Sequence, residues 1–107
     1  MASIDDFKKI NIVVGTIESA EDIEGSEKLL KFMVNIGAET RQILGGFKNA
    51  YSPEELVGQQ VLVLENLEPR KLMGMESQGM ILAASDEDGK PVIIQPLKKV
   101  NNGAIIK

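Results

Sequence analysis

Hydrophobic positions along this chain fall into short runs separated by turn residues, with little of the period expected of long helices. Ser3 ahead of Ile4-Asp5-Asp6-Phe7 predicts a capped helical turn, its acids placed where the helix dipole favours them. Ile10–Ile17 is dense in Ile and Val and reads as a strand, with Gly15 inside it marking a bulge or sharp bend. Leu29–Ile36 alternates, placing Leu30, Phe32, Val34 and Ile36 on one face of a half-buried strand. Gly37-Ala38-Glu39 is a tight turn into a strand over Thr40–Leu44, so the two runs form a hairpin that Gly45-Gly46 ends. Ser52-Pro53-Glu54-Glu55-Leu56-Val57-Gly58 carries a cap, a proline at the first helical position, acids in the first turn and a terminal glycine, which predicts a short helix. Val61–Leu64 and Gly79–Ala84 read as two more strands, followed by short strands at Val92–Ile94 and Ala104–Ile106.

Short strands at close spacing predict an all-β barrel or sandwich. One short helix between strands 3 and 4 is the connectivity of the five-stranded OB-fold barrel. The expected organisation is one domain over residues 1–107, with the barrel over about 4–90 and a C-terminal strand extension over about 91–107.

Composition narrows the chemistry. Aromatics make up only 4% of the chain and Trp is absent, so the core must rest on Ile, Leu, Val and Met. There is no Cys and no His, which excludes disulfides, thiolate nucleophiles, soft-metal sites and imidazole proton transfer. No metal and no cofactor are expected. The charged start MASIDDFKK does not resemble a signal peptide, and no apolar run approaches the roughly 20 residues of a membrane span. A soluble, cytoplasmic chain with no membrane partner is the expectation.

The net charge of −4 argues against a polyanionic partner until its distribution is considered. Met1–Glu27 holds two lysines against seven acids, whereas Lys28–Tyr51 holds Lys28, Lys31, Arg41 and Lys48 against Glu39 alone. An acidic chain with a locally basic face can still bind phosphate, with weaker long-range steering. The alternative is a set of scattered solvated charges.

Catalytic constellations are missing. Asp86-Glu87-Asp88 beside Gly89 reads as a solvated turn, Gly74–Gly79 lacks the Lys and Ser/Thr of a phosphate loop, and Gly45-Gly46 lacks a third glycine. No catalytic residue is assigned, and the chain is not expected to be an enzyme. The informative segment is Asn66–Met80, which leaves one apolar strand and returns as the next. Pro69 fixes the backbone before Arg70 and Lys71, and polar Asn66, Ser77 and Gln78 flank the pair. OB barrels bind nucleic acid on that rim and on the adjoining strand face. The competing reading makes Leu72 and Met73 core and the two cations ordinary loop charges.

The stretches IDDFKKINIVVGTI, EKLLKFMVNIG, TRQILGG, YSPEELVGQQVLVLENLEPRKLMGMESQGMILAA and VNNGAIIK resemble one known family along nearly the whole chain. It is the tRNA-binding domain found at the carboxyl end of methionyl-tRNA synthetases, in free-standing tRNA-binding proteins and in the endothelial-monocyte-activating polypeptide. The resemblance implies an RNA-contact surface at Lys28, Lys31, Arg41, Gln42, Asn66, Ser77 and Met80, with Arg70 and Lys71 as the basic loop pair. The cations would position phosphates, Gln42, Asn66 and Ser77 would offer hydrogen bonds, and Met80 an apolar face for a splayed base. Phe7, Phe32, Phe47 and Tyr51 are expected in the core, which limits aromatic stacking. The chain departs from the family at Val13, Thr16 and Glu68, where basic residues are common, and at Gly45, where Ser is frequent.

The implied function is a non-catalytic tRNA-binding module that delivers tRNA, as a homodimer, to a methionyl-tRNA synthetase catalytic domain, either as a separate subunit or as its C-terminal part. The apolar strands at 92–94 and 104–106 would supply the dimer surface or else close the barrel's own core. Two alternatives belong to other classes. One is a polypeptide-binding dimer like the export chaperones that share this fold, using Met73, Met75 and Met80 as a flexible apolar surface. The other is a protein-docking module within a synthetase complex.

Overall fold

The computed structural model describes all residues, 1–107. Two short helices, α1 (Ile4–Lys8) and α2 (Pro53–Leu56), accompany nine strands: β1 (Ile12–Asp22), β2 (Leu30–Asn35), β3 (Thr40–Gly45), β4 (Gln60–Leu64), β5 (Arg70–Leu72), β6 (Met75–Ser77), β7 (Met80–Ile81), β8 (Ala83–Ser85) and β9 (Pro91–Ile93). The main sheet has the order β3-β2-β1-β4-β7 and is antiparallel throughout, while β5-β6 and β8-β9 form separate two-stranded ribbons. This is the expected nearly closed, five-stranded OB-type barrel, with α2 between β3 and β4.

β1 serves two partners. Its first half pairs with β4 from Ile12↔Leu64 to Thr16↔Gln60, and its second half pairs with β2 from Thr16↔Asn35 to Asp22↔Leu30. The bulge falls between Ile17 and Ser19, beyond Gly15. Gly15 instead permits a close crossing, since a Cβ there would lie 2.7 Å from Val34 Cγ1 and 3.0 Å from the Asn35 carbonyl oxygen. Only a bare backbone lets β1 pass that close to β2 at the bend.

The alternation of β2 is realised in full, with Leu30, Phe32, Val34 and Ile36 all buried. They join Val13, Ile17, Ile43, Phe47, Leu56, Val61, Val63 and Ile81 in one core. Phe32 meets Phe47 edge to face at 5.7 Å, a geometry worth ~0.5–1.5 kcal/mol beyond the buried area. Leu56 of α2 plugs this end of the barrel, fastened by the Gly58 N–H donating to the Ile17 carbonyl at 2.8 Å. Of the four aromatics, Phe32 and Phe47 are buried and Tyr51 packs against the core. Phe7 departs from expectation: it sits on α1 outside the barrel and is exposed, because α1 buries no residue.

Two predicted strands were drawn differently by the fold. The run Gly79–Ala84 breaks at Leu82 into β7, which stays in the barrel, and β8, which leaves it to pair with β9. Ala104–Ile106 does not form a strand of its own but lies along the free edge of the first half of β1. There the Gly103 N–H donates to the Val14 carbonyl (2.7 Å), the Val14 N–H to Ala104 (2.9 Å) and the Ile106 N–H to Ile12 (2.9 Å). Side chains secure the remainder of the C-terminal segment. Gln60 Nε2 donates to the Val100 carbonyl (2.7 Å), and its Oε1 accepts from the Val100 N–H (3.1 Å). Tyr51 accepts the Ile93 N–H (3.1 Å).

Both helices begin as their sequences indicate. Ser3 and Asp6 exchange side chain for backbone in a complete capping box. At α2 the Glu55 carboxylate accepts from the Ser52 N–H (2.8 Å) and the Ser52 hydroxyl (2.9 Å), and these two bonds lower its pKa from the ordinary 4.5. A carboxyl depressed in the folded chain contributes stability that is fully present above its unfolded value and lost as pH falls through the folded one. Glu55→Ala should therefore lower the thermal midpoint at pH 7, and the gap to wild type should shrink as pH falls below about 4.5 and close once Glu55 is protonated. Paired thermal melts from pH 7 to pH 3 measure this.

Candidate nucleic-acid interface

The segment after β4 is more ordered than a loop. Arg70–Leu72 and Met75–Ser77 pair as a hairpin from Arg70↔Ser77 to Leu72↔Met75. Its two-residue turn is Met73-Gly74, with φ of 53° and 77°. Positive φ at both central positions is the hairpin turn whose twist suits the flanking strands. Glycine takes that conformation freely, whereas Met73 takes it against its side-chain preference.

The base of this hairpin meets β3, and there the barrel closes. The Gln78 N–H donates to the Gln42 carbonyl at 2.8 Å, Gln42 Nε2 to the Glu76 carbonyl at 2.9 Å, and the Gln42 N–H to Gln78 Oε1 at 3.2 Å. The Ser77 hydroxyl accepts from the Leu44 N–H (3.0 Å) and donates to the Gly79 carbonyl (3.1 Å). Arg41 reaches over the same seam to the carbonyls of Glu65 and Gln78, and its guanidinium is paired with Glu39 (2.6 Å) and Glu65 (3.6 Å).

This geometry sorts the nine expected contact residues. Ser77 is 1% exposed and its hydroxyl is fully engaged, so it serves closure and offers a ligand no surface. Gln42 is committed to the same seam. Arg41 faces two carboxylates, so its charge is already neutralised within the chain. Asn66 clamps the junction of α1 and β1, accepting the Asn11 N–H (2.8 Å) and donating to the Lys9 carbonyl (2.8 Å). Lys31 pairs with Glu21 at 2.8 Å. Lys28, Arg70 and Lys71 are exposed and make no ion pair, and Met80 is half-buried.

A groove of about 330 Å³ joins several of the remaining residues. Arg70, Leu72 and Met80 line it together with Leu29, the neighbour of Lys28, and Pro91, the neighbour of Lys90. Lys90, in the turn of the β8-β9 ribbon just before Pro91, is a further exposed cation without an ion pair, which sequence reasoning passed over. Lys71 alternates with Arg70 and Leu72 along β5. Val13 and Thr16, noted as departures, have internal roles: Val13 is core, and Thr16 donates to Asn102 Oδ1 at 2.7 Å.

A larger groove of about 660 Å³ lies elsewhere, among Ile10, Ile36, Gly37, Asn102 and Ile105. Its only charged lining residue is Glu65, so it is unsuited to phosphate. No three His, Cys, Asp or Glu side chains converge to hold a metal ion, and no helix is long and apolar enough to cross a membrane.

Since the buried Ser77 hydroxyl accepts the Leu44 N–H, Ser77→Ala would strand that donor and should cost ~1–3 kcal/mol of stability. Urea titration should show a lower midpoint with an unchanged slope.

The sequence model of the family described as "Putative tRNA binding domain" matches residues 12–105. A methionine–tRNA ligase of Caldanaerobacter subterraneus subsp. tengcongensis is 48% identical over 104 residues, covering 97% of this chain and 16% of the ligase. The chain thus spans about one sixth of the length of the curated relatives it matches. Among solved structures, a MetRS related protein from Pyrococcus horikoshii superposes with a TM-score of 0.94 at 38% identity, over 100% of this chain and 98% of that one. The chaperone CsaA of Bacillus anthracis superposes with a TM-score of 0.91 at 28% identity, over 100% and 99%.

Proposed function

The chain belongs to the tRNA-binding domain family, and from that premise we propose that it captures tRNA on the groove side of the barrel, through the exposed cations Lys28, Arg70, Lys71 and Lys90. One observation carries this assignment of residues. Of the 12 basic residues, Lys9, Lys31, Arg41 and Lys48 are held in ion pairs, and among those left free Lys28, Arg70, Lys71 and Lys90 lie around the β5-β6 hairpin, the end of β3 and the start of β9. Mobile, unpaired cations are what phosphate oxygens need, because binding then releases counterions without first breaking an internal salt bridge. Met80 adds apolar surface, while Arg41, Gln42, Asn66 and Ser77 hold the frame on which the cations stand.

The domain itself is a binding module without catalytic machinery. Its relatives include methionine–tRNA ligases of which it matches only a small part, so its role is delivery: it holds tRNA near a methionyl-tRNA synthetase catalytic body, in the same chain or in a separate one. The reading carries a cytoplasmic location. Recognition is of tRNA shape and backbone, since the free cations read phosphate and carry no base code.

A gel-shift titration with total tRNA tests this. Neutralising roughly four phosphates gives a log–log salt slope near −3 to −4. An Arg70→Ala, Lys71→Ala double variant should bind more weakly and reduce the slope by about 2. Binding that ignores salt and the double variant would instead favour the polypeptide-binding reading, which draws on the likeness to CsaA and on Met73, 54% exposed at the hairpin tip.

The module works as a homodimer in this reading. Ile4, Phe7 and Ile10 of the α1 region share a concave apolar strip with Ile105, and Ile4 and Ile105 are 68% and 72% exposed. A contiguous strip of that kind on a small domain marks a self-association surface. Sedimentation at micromolar concentration should report a dimer for the wild type and a folded monomer for the Phe7→Asp, Ile105→Asp variant; a monomeric wild type would overturn this part.

A further inference from the structure

The groove between the ends of β3, β5, β7 and β9 has walls unlike a phosphate site. Of its ten lining residues none is acidic and Arg70 alone is charged. Leu72, Met80 and Pro91 supply apolar sides, and Gly45-Gly46 leaves part of the wall as bare backbone. The two glycines differ. A Cβ on Gly45 would strike the Phe47 ring at 2.7 Å, so that position is closed by core packing. A Cβ on Gly46 would meet nothing nearer than the Lys28 carbonyl at 4.0 Å, so the space above it is open.

We propose that this groove takes a single unstacked nucleobase of a single-stranded RNA segment, an inference that rests on the tRNA-binding reading above. The size fits: 330 Å³ lies at the low end of small-ligand sites and admits one flat ring with its sugar. The charge pattern fits as well. A nucleotide within a strand carries a phosphate beside its base, and Arg70 is a cation in the groove wall itself, with Lys28 and Lys90 exposed next to the lining residues Leu29 and Pro91 in the chain. Arg70 makes no ion pair inside the chain, which leaves its planar guanidinium able to stack on a ring or grip a phosphate. Met80 contributes a polarizable thioether beside the ring. Apolar walls with few hydrogen-bonding side chains hold any base by its face, so the groove discriminates unpaired from paired RNA and not one base from another. Loops and ends of tRNA present such bases; its duplex arms do not.

The test uses an oligoribonucleotide of about eight residues, the footprint of one such barrel, in two forms that share the same phosphates. One has a central 2-aminopurine and the other an abasic sugar at that place. Wild type should bind the abasic form roughly tenfold more weakly, and 2-aminopurine fluorescence should change on binding. Gly46→Leu fills the open space without touching the core, so it should abolish the difference between the two forms while leaving the thermal midpoint and the salt slope unchanged. Equal affinity of wild type for both forms overturns the inference, as does a Gly46→Leu variant that keeps the preference. The oligonucleotide comparison on wild type stands even if the variant does not fold. Salt-sensitive binding of total tRNA together with indifference to the missing base sinks only the nucleobase site. Failure to bind either RNA sinks the tRNA reading and this inference with it.

Discussion

Everything on the groove side depends on how β3 is joined to the segment 76–79. In the rest of the sheet, neighbouring strands pair along their length, with one bulge between Ile17 and Ser19 of β1. At this seam few backbone bonds are available, because β7 is only Met80–Ile81 and pairs with β4. Side chains take over: Ser77 caps the Leu44 N–H, the Gln78 side chain accepts the Gln42 N–H, the Gln42 side chain donates to the Glu76 carbonyl, and Arg41 bridges to two carbonyls. The buried polar atoms are satisfied, with no orphan among them. A seam built from side chains tolerates little substitution, since each lost partner strands a buried donor or acceptor. The strings TRQILGG and MESQGM are thus distinctive for a structural reason, one that comes before any contact with RNA.

The same seam sets the charge pattern. Arg41 is drawn into closure by Glu39 and Glu65, and Lys31 and Lys48 are paired with Glu21 and Asp22. Glu21 and Asp22 come from the strongly acidic first part of the chain, and together with Glu39 and Glu65 they occupy three cations that would otherwise be open to phosphate. Lys28, Arg70, Lys71 and Lys90 are left without an ion pair, although Lys71 stands across the hairpin from Glu76 and Lys90 closes the Asp86-Glu87-Asp88 turn. A net charge of −4 therefore says little about this face, because local pairing and not the total decides which cations are available.

Much of the fold was legible in the chain. The alternation from Leu30 to Ile36, the capped turn at Ser3 and the proline-led helix at Ser52 each obey a local rule, and each appears where expected. What escaped was non-local. The hairpin Arg70–Ser77 turns on Met73 at positive φ, a conformation for which methionine gives no signal, so the segment read as a loop. The break at Leu82 reflects two different partners, β4 and β9, for one apolar run. Asn66 and Ser77 looked like contact residues because a polar side chain free for a ligand and one engaged within the fold have the same letter; Asn66 is exposed yet engaged, and Ser77 is buried. Only the partners across 55 and 33 positions, Asn11 and Leu44, separate them. Phe7 was expected inside because aromatics usually are, and α1 places it outside because a five-residue helix at the chain start has no second face to cover it.

The C-terminal segment shows why two readings of one apolar run need not compete. From sequence, Ala104–Ile106 would either complete the barrel of its own chain or provide surface for a second copy. The backbone of 103–106 bonds to the open edge of β1, from Ile12 to Val14, and so completes the chain's own sheet. In an extended segment successive side chains point to opposite sides, so satisfying the backbone leaves every second side chain uncommitted. Ile105 bridges Val13 through its main chain and still presents its side chain to solvent, next to Ile4, Phe7 and Ile10. Closing the edge is in fact what makes the surface usable. An unpaired edge would offer indiscriminate strand addition, whereas a paired one leaves only the side chains to select a partner. The tail thus serves its own barrel with its main chain and leaves an apolar surface with its side chains.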